Sequence, residues 1–108
     1  MENITEDEKY KNFVIYKIYP INDETNIYIG STTNFSRRKS QHKKNTTNKR
    51  IKRYYTPLYQ FIRALGGFDN FKMEILEKYP CNNKQEGLTK ERELIELYGA
   101  NINVNKPI

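Results

Sequence analysis

Two short segments near the start of the chain are rich in aromatic and β-branched residues, which is typical of β-strands. The first covers residues 13–19 and ends at Pro20, and the second covers residues 27–30. The polar stretch between them, residues 22–26, has the composition of a turn. We therefore predict a hairpin of two antiparallel strands, preceded by a flexible tail over residues 1–10.

The middle of the chain predicts two helices. Thr33 or Asn34 can cap the first, which begins at Phe35 and fades near residues 45–48. The second begins at Thr56-Pro57, where a capping oxygen precedes a proline in the first turn. Its apolar residues recur at i, i+3, i+4 and i+7 and predict one buried face, which consists of Leu58, Phe61, Ile62 and Leu65.

The last third predicts a strand and a helix. Phe71, Met73 and Ile75 alternate with charged residues, as in a half-buried strand. A helix then runs from about Gln85 to Tyr98, with an inward stripe formed by Leu88, Ile95 and Tyr98. The order β-β-α-α-β-α predicts a small α/β (α+β) domain over residues 11–108, with a three-stranded antiparallel sheet flanked by helices.

Composition excludes several classes of protein. The chain has 108 residues, of which 36% are hydrophobic and 30% are charged, and no apolar run approaches the roughly 20 residues that span a membrane. Its acidic first residues do not resemble a signal peptide, and the single cysteine, Cys81, cannot form an internal disulfide. We expect an intracellular protein, in cytoplasm or nucleus, without a membrane partner.

The net charge of +6 is unevenly distributed, since no acid occurs between Gly30 and Asp69. Clustered cations are typical of phosphate binding, although a solvated basic loop would have the same composition. Tyr54, Tyr55 and Tyr59 follow the basic run and could stack on bases. The candidate nucleic-acid-binding residues are Arg37, Lys39, Lys43, Lys44, Lys49, Arg50, Lys52 and Arg53.

Two tyrosines and an Arg-x-x-x-His segment could carry chemistry. Tyr16 and Tyr28 lie on the two paired strands, so their phenols can come close, although a tyrosine on a strand is usually a core residue. Arg38 and His42, the only histidine, share one helix face. A guanidinium can clamp a phosphate, and an imidazole can bind phosphate, orient water or transfer a proton.

Three further residues complete the candidate site. Glu91 falls on the inward stripe of the last helix, where a carboxylate needs a partner or a metal, or else it only borders the polar face of this helix. Glu93 falls more clearly on the outer face. Gly30 is a turn glycine or a point where a phosphate approaches the backbone. Asn103, or else Asn105, could hydrogen-bond the site loop or simply form a turn.

These residues together resemble the GIY-YIG nuclease family over residues 13–107. Val14-Ile15-Tyr16 stands where the family has Gly-Ile-Tyr, and Tyr28-Ile29-Gly30 matches its Tyr-Ile-Gly. The family's arginine, histidine, metal-binding glutamate and late asparagine fall on Arg38, His42, Glu91 and Asn103. Val14 departs from the family glycine, which is not a chemical group, so we expect altered packing rather than lost activity.

The resemblance implies an endonuclease that hydrolyses a phosphodiester of DNA, most readily double-stranded DNA. By this resemblance Glu91 would hold Mg²⁺ or Mn²⁺. Tyr16, or less favourably Tyr28, would activate the attacking water. Arg38 would stabilise the transition state, and His42 would assist with the phosphate or with proton transfer. Homing, restriction and repair enzymes belong to the family. The segments Pro57-Leu58-Tyr59 and 62–67 resemble versions from large DNA viruses and mobile elements, which would act inside a host cell.

Two other functions compete with this one. A module of the same fold could bind nucleic acid without cutting it, and an unrelated small basic protein could bind RNA or a protein partner. Both predict salt-sensitive binding or association without metal-dependent cutting. A single active site nicks one strand, so cutting both strands requires a homodimer on DNA or two sequential events.

Overall fold

A computed structural model describes residues 8–103 of the chain. Its order of elements is β-β-α-α-β-α, and the predicted fold class is confirmed. The elements are β1 (Val14–Pro20), β2 (Tyr28–Thr32), α1 (Phe35–Thr47), α2 (Pro57–Ala64), β3 (Phe71–Lys78) and α3 (Lys84–Tyr98). Short 3₁₀-helices cover Glu8–Asn12, Lys52–Tyr55 and Phe68–Asn70.

The sheet has the strand order β2-β1-β3, and both pairings are antiparallel. Strand β1 is central and almost completely buried, which explains its nearly unbroken run of apolar and aromatic residues. Tyr16 pairs with Gly30 across the hairpin, and the pairing of β1 with β3 is irregular between Ile15 and Tyr16. The register thus places the two tyrosine motifs side by side.

The sheet is covered on both faces, because alternate residues of β1 belong to two different core clusters. Ile15 and Tyr19 pack in a cluster that includes Leu94 of α3. Tyr16 and Ile18 pack in the other cluster, with Ile62 of α2 and with Phe35 of α1 at its margin. The edge strand β2 therefore lies between α3 on one face and α1 and α2 on the other.

Local sequence determines where most helices begin and end. Asn34 caps α1 by accepting a hydrogen bond from the backbone N–H of Arg37, so Asn34 rather than Thr33 is the cap. Gly99 ends α3 in the left-handed conformation with φ of 59°, which glycine adopts without a steric penalty. Thr56 is the N-cap residue of α2, as predicted, but its side chain makes no capping hydrogen bond. Pro57 in the first turn is the residue that favours this start.

Two predicted helix faces are displaced from the observed ones. In α2, Leu65 is 44% exposed, and Tyr59 is buried instead. In α3, Leu88 and Tyr98 are 41% and 47% exposed, and the buried residues are Gly87 and Leu94. Periodicity missed Gly87 because it has no side chain: a Cβ there would lie 2.6 Å from the Phe13 ring, so the helix approaches the sheet at this point.

Strand predictions erred mainly at the ends. β2 extends over Tyr28–Thr32 rather than residues 27–30, and β3 continues to Lys78, with Ile75 41% exposed. Residues 1–7 of the predicted tail lie outside the described part of the chain. Tyr10 within that tail is buried in the first core cluster. No helix within residues 8–103 is long and apolar enough to cross a membrane.

Candidate active site

The Arg-x-x-x-His segment lies on α1, with its histidine directed into the protein. His42 is 0% exposed, and Arg38 is half-buried one turn earlier. Both residues lie beside Tyr16, whose hydroxyl accepts a long hydrogen bond of 3.4 Å from Arg38 Nε. The i and i+4 spacing places both residues on one helix face, as predicted, and this face brings the guanidinium and the imidazole to the same phenol.

A chain of three hydrogen-bonded side chains passes through His42. The Tyr16 hydroxyl and His42 Nε2 are 2.7 Å apart, and His42 Nδ1 and the Tyr59 hydroxyl are also 2.7 Å apart. Asn45 Nδ2 donates to the same Tyr59 hydroxyl at 3.2 Å. A neutral imidazole carries one N–H, so His42 donates in one of its two hydrogen bonds and accepts in the other.

His42 remains neutral at physiological pH. Burial lowers its pKa to about 3, and the positive charges of Arg38 and Arg53 contribute to the same shift. A neutral His42 can accept a proton from one phenol while it passes another on, but it cannot act as a standing positive charge toward phosphate. Hydrogen bonding is therefore the role that its environment supports.

Tyr16 is held in the interior, over a glycine. It is 0% exposed, and burial raises the pKa of its phenol above the ordinary value. Gly30 lies opposite Tyr16 within β2, and a Cβ on Gly30 would lie 2.6 Å from the Tyr16 hydroxyl. The alternative that Gly30 is a turn glycine is wrong, because Gly30 is a strand residue of β2. The Tyr16 phenol fills the space where a side chain at this position would be.

Tyr28 occupies a different position from Tyr16. It is half-buried, and it forms part of the wall of two cavities, one on either side of the β2 edge. Burial raises its pKa to about 12, and the nearby Glu91 charge adds to the increase. Of the two motif tyrosines, Tyr28 is therefore the one that a bound molecule could contact.

Glu91 lies on α3, across the β2 edge from Arg38. It is half-buried, and the Ser31 hydroxyl donates a hydrogen bond to its Oε1. Burial raises the pKa of Glu91, while the Ser31 hydrogen bond and the charges of Arg92 and Arg38 oppose this effect. Within residues 8–103 no cation forms an ion pair with this carboxylate. Glu93, in contrast, is 61% exposed and pairs with Lys90.

The surroundings of Glu91 suit a hard divalent cation with few protein ligands. The carboxylate borders a cavity of about 660 Å³, together with Tyr28, Asn101 and Asn103. Ser31 engages one carboxylate oxygen, which leaves Oε2 available. The described residues contain no cluster of three or more metal-binding side chains, so a cation here would keep most of its ligands as water or substrate oxygens. Mg²⁺ commonly binds in this way.

Asn103 closes the outer edge of β2. Its side-chain oxygen accepts from the backbone N–H of Ile29 at 2.7 Å, and its side-chain nitrogen donates to the carbonyl of Ile29 at 2.7 Å. The amide thus replaces the neighbouring strand that the edge lacks, immediately beside Tyr28 and Gly30. Asn105, the alternative candidate, lies outside the described residues.

All eight candidate DNA-binding cations are exposed, on α1 and the segment that follows it. None of them forms an ion pair with another described residue. The three tyrosines after them differ from the expectation of a stacking surface. Tyr59 is buried, the Arg63 guanidinium covers the Tyr54 ring at 3.5 Å, and Tyr55 remains exposed.

Sequence reasoning missed three residues of the site. Ser31 binds Glu91, while Tyr59 and Asn45 extend the hydrogen-bond chain of His42. The sequence indicated Tyr59 only as a possible stacking residue after the basic run, and Ser31 was only the residue after the second motif. Their roles depend on contacts between separate elements, which no local spacing encodes.

Comparison with protein families identifies the class of this domain. A model of the GIY-YIG catalytic domain matches residues 12–105, which is nearly the whole chain. The chain therefore belongs to the GIY-YIG family, and its domain is of the nuclease type. Nucleases of this family act on DNA. Comparisons with curated proteins and with solved structures gave no significant match.

Proposed function

We propose that this protein is a metal-dependent endonuclease that hydrolyses phosphodiester bonds of DNA. One observation carries the proposal: the edge of β2 separates an unpaired, half-buried Glu91 from the Arg38–His42 pair, and Tyr28 lies between the two. An acid able to hold a cation and a guanidinium able to clamp phosphate thus flank one phenol. These groups together can support phosphodiester hydrolysis.

Glu91 is the residue proposed to hold Mg²⁺ or Mn²⁺. Its free oxygen and the adjoining cavity support this assignment, and the exposed ion pair of Glu93 with Lys90 argues against the alternative. The bound cation would supply positive charge to the oxygen that leaves phosphorus. Ser31 would orient the carboxylate through its hydrogen bond, as supporting groups commonly do at metal sites.

Tyr28 is proposed to accept the proton of the attacking water. The family resemblance favoured Tyr16 for this role, but its hydroxyl is buried and already bound to His42. Tyr28 borders the cavity that contains Glu91. A phenol with a pKa of about 12 is a poor base near neutral pH, so nearby positive charge must lower this pKa during catalysis.

Arg38 is proposed to stabilise the additional negative charge that develops on phosphorus. Its Nε is directed at Tyr16 and its Nη1 donates to Gln41 at 3.0 Å, while no described carboxylate neutralises it. Tyr16 and His42 then act as positioning residues, since they hold Arg38 and each other through hydrogen bonds. Neutral His42 can also relay a proton between Tyr16 and Tyr59.

Double-stranded DNA is the proposed substrate. The eight exposed cations of α1 and the following segment support this choice, because unpaired Lys and Arg bind the phosphates of either strand without reading sequence. One active site would cut one strand at a time. Cutting of both strands would require a homodimer on DNA or two successive nicks.

Metal dependence is tested directly with supercoiled plasmid. The purified protein should convert it to the nicked form with Mg²⁺ or Mn²⁺, and EDTA should abolish nicking. Retention of DNA on the protein without cutting under either metal would instead support a binding module of this fold.

The roles of the two tyrosines are tested with phenylalanine variants under single-turnover conditions. Tyr28→Phe should lower the nicking rate about 100-fold or more and reduce its increase with pH, since it removes the proton acceptor. Tyr16→Phe should lower the rate less, about tenfold, and keep the pH dependence, since it removes only a positioning hydrogen bond. The reverse order would assign the proton to Tyr16.

A further inference from the structure

A second cavity lies on the opposite side of Tyr28 from Glu91. Its volume is about 300 Å³, and the first turn of α2 forms one wall. Two guanidinium groups border it, those of Arg38 and Arg53, and no acidic residue does. The complete lining consists of Tyr28, Arg38, Arg53, Thr56, Pro57, Leu58, Tyr59 and Ile102. A small cavity between two cations is suited to an anion.

Of the eight exposed cations, Arg53 is the one that lines this cavity. It lies in the 3₁₀-helix Lys52–Tyr55, and its backbone carbonyl accepts from the N–H of Thr56 at 2.9 Å. The charge of Arg53 also acts on His42. After burial and the charge of Arg38, Arg53 is the next cause that lowers the pKa of His42. No acidic residue among those described pairs with Arg53.

Arg63 keeps this segment in place. Its guanidinium donates to the carbonyls of Thr46 and Tyr54, at 3.1 Å and 2.7 Å, and it lies over the Tyr54 ring. Arg63 therefore connects the end of α1, the 3₁₀-helix and α2. Because Tyr54 is fixed in this way, its neighbour Arg53 is presented to the cavity by an ordered backbone.

We propose that Arg38 and Arg53 together bind a second DNA phosphate in this cavity, next to the phosphate that is cut. The proposal rests on the function proposed above, which places the reacting phosphate near Glu91 and Tyr28. Tyr28 lines both cavities, Arg38 lines the second, and the charge of Arg38 also acts on Glu91. Arg38 can therefore contact the reacting phosphate while it shares the neighbouring one with Arg53. Two guanidinium forks match the several oxygens of a phosphate.

This position gives Arg53 a role distinct from that of Arg38. A phosphate that does not react carries the same charge before and during the reaction, so Arg53 should bind substrate and transition state equally. Loss of Arg53 should therefore raise KM and leave kcat nearly unchanged, whereas loss of Arg38 should lower kcat. Arg53 would thus set which stretch of the DNA strand lies over Glu91.

Binding is tested without cutting, with thymidine 3′,5′-bisphosphate in metal-free buffer. The Nε–H signals of arginine are followed by nuclear magnetic resonance in protein labelled with nitrogen-15. The signals of Arg38 and Arg53 should move with one common Kd, while that of Arg63 should not move, because its guanidinium is already engaged. Thymidine, which has no phosphate, should move neither signal.

Substitutions make the same test quantitative. Arg53→Gln should weaken binding of the bisphosphate about tenfold, which is typical of one exposed charge-assisted hydrogen-bonding group. Lys72→Gln, which removes an exposed cation from β3, is the matched control and should leave the affinity unchanged. An immobile Arg53 signal, or equal weakening by both substitutions, would overturn the subsite.

This outcome is separate from that of the proposed function. If the bisphosphate binds through Arg53 and plasmid is never nicked, the second-phosphate subsite stands and the nuclease proposal fails. If plasmid is nicked and Arg53→Gln changes neither the bisphosphate affinity nor KM, the nuclease proposal stands and the subsite fails.

Discussion

Gly30 and Tyr16 show how one missing side chain shapes this site. The Tyr16 ring lies where a Cβ of residue 30 would be, and this position brings its hydroxyl to His42 at 2.7 Å. A tyrosine on a strand would otherwise project over its neighbour's side chain. Gly30 of the second motif therefore provides the space that Tyr16 of the first motif occupies.

Gly30→Ala tests this packing. The added methyl group would overlap the Tyr16 hydroxyl, so the ring must move away from His42. We expect a loss of about 1–3 kcal/mol in the free energy of unfolding, measured by urea denaturation, because overpacked cores cost this much. Ser40→Ala on the exposed side of α1 should change it little. Equal stability of Gly30→Ala and the parent protein would contradict the account.

His42 makes stability depend on pH in a defined direction. Its pKa is about 3 in the folded state and 6.5 in the reference state, so the unfolded chain binds the extra proton between these values. Stability is therefore complete above about pH 6.5 and decreases as the pH falls toward 3. The charged or titratable groups around the imidazole are Tyr16, Tyr28, Arg38, Arg53 and Tyr59, none of which carries a carboxylate.

The corresponding measurement compares wild type with His42→Gln. Between pH 7 and pH 5 the wild type should lose about 2 kcal/mol more of its free energy of unfolding than the variant, since only it contains the buried imidazole. The two proteins share all their carboxylates, so acid titration elsewhere cancels. Parallel pH curves would mean that His42 is protonated within the folded protein.

Among individual residues, the sequence could predict those that lie at a fixed offset from a motif. The offset from Tyr28-Ile29-Gly30 to Arg38 and His42 is local, and the helix converts it directly into a shared face. Tyr59 and Ser31 could not be found in this way. Each acquires its role from an element distant in sequence, and a tyrosine or serine alone carries no indication of its partner.

The edge of β2 is the element on which both halves of the site depend. Ser31 contacts Glu91 on one side of it, and Gly30 accommodates Tyr16 on the other. An unprotected edge strand exposes backbone donors and acceptors. Here the segment Asn101–Asn103 satisfies them, because the Asn101 side chain accepts from Ile27 N–H and Asn103 forms two hydrogen bonds with Ile29.

Hydrogen exchange of individual amides tests this protection. Asn103→Ala should accelerate exchange at Ile29 about five- to tenfold, because its N–H loses its acceptor, and should leave Ile27 nearly unchanged. Asn101→Ala should show the opposite pattern, since its side chain accepts from Ile27 at 3.0 Å. If both amides respond equally to both substitutions, the edge opens as one unit and Asn103 has no separate role.

Element order and type could be predicted because periodicity, caps and turns are local. The buried faces of the helices were less predictable than the elements themselves, as α2 and α3 show. Leu65 and Leu88 are apolar yet exposed, whereas Gly87 is buried where α3 approaches Phe13. Which side of a short helix is buried depends on its docking angle, and hydrophobic spacing determines this angle only loosely when apolar residues occur on several sides.

Charge distribution is a property of the whole molecule. Eight exposed cations lie on α1 and the following segment, whereas the acids of α3 lie beyond the β2 edge. The site therefore lies between a basic surface proposed to bind phosphate and a carboxylate proposed to bind a cation. The basic run is visible in the linear sequence, but its proximity to Glu91 is not, because residues 48–90 separate the end of α1 from Glu91.

Salt dependence of DNA binding measures the basic surface. Lys43→Gln and Lys44→Gln should each reduce the slope of log K against log salt concentration by about 1, if each lysine neutralises one phosphate. Lys84→Gln, at the exposed start of α3, should leave the slope unchanged. A slope that responds equally to all three would indicate general attraction by net charge rather than a defined surface.

The most direct test of the central claim compares Glu91→Gln with Glu93→Gln on supercoiled plasmid in the presence of Mn²⁺. The two substitutions are chemically identical and lie on the same helix. Glu91→Gln should lower the single-turnover nicking rate about 100-fold or more, because it removes the proposed metal ligand, and Glu93→Gln should leave it unchanged. Undiminished nicking by Glu91→Gln would show that the catalytic centre lies elsewhere.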